Sequence, residues 1–175
     1  MLFRGRQPET TSTRRFDTPL DEFTVAQDAG LTILRLVGSA EHMLGHMYAL
    51  SADMSGSVDV AIDDLRTGRS WRGEGRALAE VRDALNGARR VLAQFGGVDW
   101  SIYTREDQIC LTAHVELYVI SRTDRWLYLV ENRGLRERQA VRGRSWRIPR
   151  DGFPEAPPLV GAMAEVVKRL GLELK

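Results

Sequence analysis

The pentapeptide GRSWR occurs twice, at residues 68–72 and 143–147, and it does not stand alone. The stretch ALAEVRDAL (77–85) follows the first copy and AMAEVVKRL (162–170) follows the second. Upstream, MYALS (47–51) matches LYVIS (117–121), and VDVAIDD (58–64) matches WLYLVEN (126–132). Four matched blocks in one order predict an internal duplication, with repeats over about 31–96 and 98–172. Such a duplication constrains the fold before any single element is assigned.

Hydrophobic periodicity fills in the repeats. Over 75–95, Leu78, Val81, Leu85, Ala88, Leu92 and Phe95 fall on one helical stripe, with Gly96 and Gly97 as the stop. The counterpart helix carries Leu159, Met163, Val166 and Leu170 on its stripe. It starts at Pro157 and Pro158, has Lys168 and Arg169 in its last turn and stops at Gly171. The segments before each helix are β-branched or alternating and read as strands: 31–37, 43–51, 58–63 and 69–72 in the first repeat. In the second they are 98–104, 110–120, 126–130 and 140–148, with 122–125 as a hairpin turn.

Over 39–54 the repeat and the local propensity disagree. Ser39 is a plausible N-cap, and Met43, Met47, Leu50 and Met54 stand at helical spacing. The alignment of MYALS with the strand-like LYVIS decides for a strand. Thr18-Pro19 followed by Asp21 and Glu22, with Gly30 as a stop, predicts a short N-terminal helix. Residues 1–16 read as a loose basic arm and 17–175 as one domain. The expected fold is therefore α+β: a duplicated ββββα unit forming an antiparallel sheet with two packed helices, preceded by the short helix.

A chain of 175 residues, 43% hydrophobic and 28% charged, has enough apolar material for one core. No apolar run approaches the ~20 residues that cross a bilayer, and the N-terminus lacks the apolar centre of a secretory signal, so a cytoplasmic location is expected. Cys110 is the only cysteine, which excludes an internal disulfide and a cysteine-built zinc site within one chain. It reads as a small hydrophobe rather than a reactive thiol. Charge is segregated. Residues 17–65 hold nine acids against Arg35, whereas 133–150 hold seven Arg against Glu137. Two faces of opposite sign are expected, suited to self-association or a charged partner.

Four groups could carry chemistry. The first is the basic tract, in which Arg138, Arg142 and Arg144 could share a strand face with Trp146 that neutralises phosphates and stacks a base, Arg147 being a further binding candidate. The bland alternative is an edge strand kept soluble by its charges. The second is His42 and His46, whose i, i+4 spacing would point both rings one way on a helix, with Glu41 or His114 to complete a metal site. On the expected strand they would lie about 13 Å apart, so no metal is expected. The third is Asp63 or Asp64 with Glu131, at equivalent strand ends, which a pseudo-dyad could bring within about 5–10 Å as an acid-base pair. Strand-end acids are more often turn formers. The fourth is GRSWR itself, for which inherited framework, with Trp71 and Trp146 closing the core margin, is favoured over a pair of ligand sites.

No phosphate-binding glycine loop and no serine elbow accompanies these groups, and no cofactor is expected. The expectation for function is a non-enzymatic adaptor that binds a macromolecule through a sheet face or edge. Its partner would be a protein, homodimerisation being the simplest form. Nucleic-acid binding through 133–150 is the alternative, and a small carboxylate enzyme the further one.

Overall fold

The computed structural model describes residues 21–142 and 152–175. In chain order the first half runs β1 (Glu22–Asp28), β2 (Leu31–Val37), α1 (Ala40–Leu50), β3 (Ser57–Asp64), β4 (Arg69–Ala77) and α2 (Leu78–Phe95). The second half runs β5 (Val98–Tyr103), β6 (Asp107–Leu111), β7 (Leu117–Ser121), α3 (Arg125–Asn132), β8 (Arg136–Glu137), α4 (Pro157–Leu170) and β9 (Glu173–Leu174). The fold is α+β. The nine strands form one mixed sheet in the order β8-β1-β2-β7-β6-β5-β3-β4-β9. Every neighbouring pair is antiparallel except β1 with β8.

Strands β2, β3, β4 and β5 and helices α2 and α4 lie where the sequence places them. On α2, Val81, Leu85, Ala88 and Leu92 are buried, and on α4, Leu159, Met163, Val166 and Leu170 are. Both apolar stripes face inward, and α2 packs against α1 and α4. Each buried Leu or Val contributes about 1.5–3 kcal/mol relative to exposure. Gly171 ends α4 in the left-handed conformation with φ 58°, which a side chain would strain.

The expected ββββα repeat is not what the chain forms. Residues 31–96 run strand, helix, two strands, helix, whereas the described residues of 98–172 run three strands, helix, a two-residue strand, helix. MYALS ends α1 while its match LYVIS is β7, and VDVAIDD lies in β3 while WLYLVEN is α3. Among the matched blocks within the described residues, only α2 and α4 agree in class. The second GRSWR lies outside the described residues, as does the 1–16 arm.

Three local causes explain the departures. Residues 40–50 are helical because the Ser39 side chain accepts the His42 N–H at 3.3 Å, while Met43, Leu44, Met47 and Leu50 enter the core together. Local propensity wins there over alignment. The expected N-terminal helix is instead β1. EFTVAQD alternates, with Phe23 buried, and Gly30 is a turn residue rather than a stop. Ala29 at φ 47° and Gly30 at φ 79° together make the two-residue turn that joins β1 to β2, the doubly positive geometry that matches strand twist.

The third departure is α3, expected to be a strand. Trp126 and Val130, four residues apart, are both buried, a helical pairing. The hairpin turn lies instead at 112–116, inside the segment read as one strand, where the Thr112 hydroxyl and carbonyl accept the Glu116 and Val115 N–H groups. Asp107, buried at the start of β6, holds the new helix in place. It accepts hydrogen bonds from Trp126 Nε1 at 2.8 Å, Ser121 Oγ at 2.6 Å and Arg125 at 2.6 Å. Burial alone would push its carboxyl up. The Ser121 and Trp126 hydrogen bonds and the Arg125 charge outweigh that and hold it below the ordinary range. A strand at 140–148 is also not found over 140–142, and the remainder lies outside the described residues.

The four helices of the described residues lie on one face of the sheet. Leu34, Leu36, Trp100, Ile102, Ile109, Leu117 and Val119 belong to the same buried cluster as the helix stripes. The alternate residues of those strands point away from it.

Candidate functional site

Those alternate residues build the candidate site. Antiparallel register sets them in rows across the sheet. One row runs Ala26, Ile33, Ile120, Gln108, Tyr103 and Asp59. The next runs Arg35, Tyr118, Cys110, Ser101, Ala61 and Arg72. Except for the more exposed Ala26, all of these are partly exposed, and none belongs to the core cluster or packs against it. No described element covers this face.

The face has two halves. On β2 and β7, Leu31, Ile33, Tyr118 and Ile120 form an apolar strip. On β3 and β5 stand Asp59, Asp63 and Asp99. The polar groups are paired with their own neighbours. Arg35 grips Glu116 with two hydrogen bonds of 3.0 Å, and that contact raises the Arg35 pKa. Arg72 pairs with Asp63 at 2.8 Å. Burial would raise the Asp63 carboxyl, but hydrogen bonds from Arg72 and Ser70 hold it low. Asp59 accepts the Gly75 N–H, and Asp99 accepts the Ala113 N–H. Gln108 donates to Ser101 at 3.4 Å. The Arg35–Glu116 and Arg72–Asp63 pairs can be covered without leaving a buried charge unpaired.

Cys110 sits mid-face and half-buried, and burial pushes its thiol up, away from the reactive thiolate. That agrees with its reading as a small hydrophobe. No residue of the apolar strip was singled out from the sequence, although a signal was present. LTILRLV and LYVIS are apolar at both alternations, the mark of a strand meant to be covered on both faces.

Among the residues expected to carry chemistry, few come together. Arg138 is exposed, donates to Glu22 at 2.8 Å and is held by its N–H to the Phe23 carbonyl. Arg142 is exposed and outside any strand, while Arg144, Trp146 and Arg147 lie outside the described residues. Arg133, from the same tract, is exposed and donates from Nε to His46 Nδ1 at 2.9 Å.

His42 and His46 do converge, because α1 is a helix, but on Asp21: both ring nitrogens lie 3.0 Å from its Oδ2. Since the Arg133 Nε–H must donate to His46 Nδ1, the His46 proton sits on Nε2 and is given to Asp21. The Nε2 lone pair is therefore not offered to a metal ion. Among the described residues no group of three or more histidine, cysteine or carboxylate side chains is placed to hold one. Burial pushes the His46 pKa down, the Asp21 hydrogen bond opposing and the Arg133 charge reinforcing it.

The two carboxylates expected at a pseudo-dyad lie on opposite sides. Asp63 is on the open face, and Glu131 is exposed on α3, which packs on the helix side. Asp64 is buried and accepts the Arg66 N–H and the Thr67 hydroxyl at 2.9 Å each, a turn former. Trp71, from the first GRSWR, packs on the core margin. With Val160, Met163 and Val167 of α4 it walls a cleft of about 290 Å³.

Comparison with protein-family models, with curated proteins and with solved structures finds no match. Among the described residues no helix is long and apolar enough to cross a membrane. The chemistry of the chain itself must carry the functional reading.

Proposed function

We propose that this chain is a non-enzymatic protein-binding module that seats its partner against the open face of the sheet. The observation that carries the reading is the asymmetry of that sheet: every described helix lies on one face, while the other presents an apolar strip with the Arg35–Glu116 pair at its end and the Arg72–Asp63 pair further across. Seven strands at about 4.8 Å spacing and five residues at about 3.3 Å each give roughly 500 Å² in projection. Side-chain relief brings this toward the ~800 Å² that one partner contributes to a standard interface.

The edges are less suited to docking. Each outermost strand has two residues, and β4 carries a bulge between Val58 and Val60 of its partner, with Glu74 and Arg76 beside it. Short, bulged and charged edges resist strand addition. Of the basic tract, Arg133 and Arg138 are each already bonded within the fold, to His46 and to Glu22.

The test is capture from source-cell lysate with nuclease treatment, using wild type and the double variant Ile33→Asp, Ile120→Asp. Nuclease-resistant capture of a protein, lost in a variant with unchanged circular dichroism, supports the reading. Capture abolished by nuclease would transfer it to nucleic acid, and equal capture by both proteins would remove the open face from it.

A further inference from the structure

We infer that the partner on the apolar half of this face is a second copy of the chain, in a two-fold contact centred on Ile33 and Ile120. The inference rests on the reading of the open face as the docking surface and narrows it to β2 and β7.

Self-recognition asks that a patch be compatible with its own image, because a two-fold axis sets each residue near the axis against itself or its neighbour. Ile33 and Ile120 are in direct register, so an axis through that pair sets isoleucine on isoleucine. The carboxylates of β3 and β5 spoil self-pairing if the contact is centred on the whole face, since acids would oppose acids or apolar side chains. Centred on β2 and β7, the contact leaves Asp59, Asp63 and Asp99 outside.

Charge at the two ends of the strip agrees. One end has Asp28, at the close of β1, and the exposed Glu106 before β6, with the exposed Arg122 after β7 between them. The other has the Arg35 and Glu116 pair. Both ends are mixed in sign, so a two-fold copy meets no end of a single charge. The bidentate pair can border the contact without desolvating a lone charge.

Size then sets the strength. Four strands, β1, β2, β7 and β6, offer roughly 300 Å² in projection, well under the ~800 Å² per partner of a standard interface. The helix-side core is built from residues of one copy. The expected assembly is accordingly a weak, concentration-dependent dimer of protomers that fold alone.

Sedimentation of the full chain from low to high micromolar concentration tests this. Wild type should pass from monomer to dimer. Ile120→Glu should stay monomeric throughout with unchanged circular dichroism, and Ala61→Glu, on the carboxylate half, should dimerise as wild type does. Should Ile120→Glu fail to fold, Ile120→Cys in a Cys110→Ser background replaces it, and mild oxidation should join two copies through position 120.

A wild type monomeric at every concentration overturns the second copy while leaving the binding-module reading to the capture experiment. Dissociation by Ala61→Glu but not Ile120→Glu, or absence of the cross-link in a dimeric protein, overturns the placement on β2 and β7.

Discussion

The two faces of one sheet differ in how they treat polar atoms. On the helix side polar groups are few and locked: Asp107 takes three donors from β7 and α3, and Trp126, whose N–H is one of them, is fully buried. On the open side polar groups are many and shared sideways, Arg35 with Glu116, Arg72 with Asp63 and Gln108 with Ser101. The first arrangement fixes one packing, because a buried group that loses its partner has no water to turn to. The second keeps a surface dissolved while preparing it to be covered. Stability is therefore expected to sit on the helix side and recognition on the open side.

The largest effect should come from Trp126→Ala. It empties a fully buried site and takes from Asp107 one of its donors, at a cost of about 3–5 kcal/mol. Denaturant unfolding measures it, and a loss under about 1 kcal/mol would erase the distinction between the faces. Next is Asp107→Ala, which leaves the Trp126 N–H and the Ser121 hydroxyl without their acceptor and should cost about 1–3 kcal/mol. Because the Asp107 pKa is lower folded than unfolded, its contribution is fully present above the ordinary carboxylate value near 3.9. It fades as pH falls through the folded value. Asp107→Asn should flatten that acid limb in a stability-versus-pH series.

Much of the helix side was legible in the sequence and most of the open side was not, for a physical reason. A helix buries one stripe, so Leu78 to Phe95 and Leu159 to Leu170 declare themselves by spacing alone. Short apolar runs do not. WLYLVEN reads as a strand until Asp107 is known to reach Trp126 from 19 residues away in the chain, and EFTVAQD is hidden by the helix-start look of Thr18-Pro19. The matched blocks MYALS and LYVIS show the same limit. Shared letters did not bring shared structure, because Ser39 caps one segment into a helix while Leu36 and Leu111 pair the other into a sheet. The open face is quieter still, because the clustered charges of Arg138, Arg142 and Arg144 stand out from the sequence more than the short, doubly apolar strands β2 and β7 do.

A smaller effect should separate the two fully buried tryptophans. Trp100 Nε1 finds no hydrogen-bond partner among the described residues, whereas Trp126 Nε1 has Asp107. Both Trp→Phe substitutions lose similar volume, but only Trp126→Phe also orphans an acceptor. It should be the costlier by about 1 kcal/mol, and equal losses would show that the Asp107 bond adds nothing net.

Smaller still is the pH response of His46, which sits where α1, Asp21 and Arg133 meet, with the exposed His42 ring also on Asp21. Its pKa is lowered in the fold, so the unfolded chain binds the proton more readily. Stability should be unaffected well above the ordinary histidine value near 6.5 and should decline as pH falls below it, toward the folded value. His46→Gln should remove that decline, and an imidazole proton titration should place the His46 transition below the ordinary histidine value.

The smallest change in stability is expected where the change in behaviour is greatest. Ile120→Glu puts a charge in the middle of the apolar strip, yet its side chain touches no core residue. Its cost should stay within about 1 kcal/mol, the range of strand preference at a half-exposed position. The same substitution should abolish association, so a variant as stable as wild type that no longer pairs would place recognition and stability on separate faces. A loss above about 2 kcal/mol in the dilute monomer would mean that Ile120 is covered within a single chain. The two faces would then differ only in what covers them, helices on one and other residues of the same protein on the other.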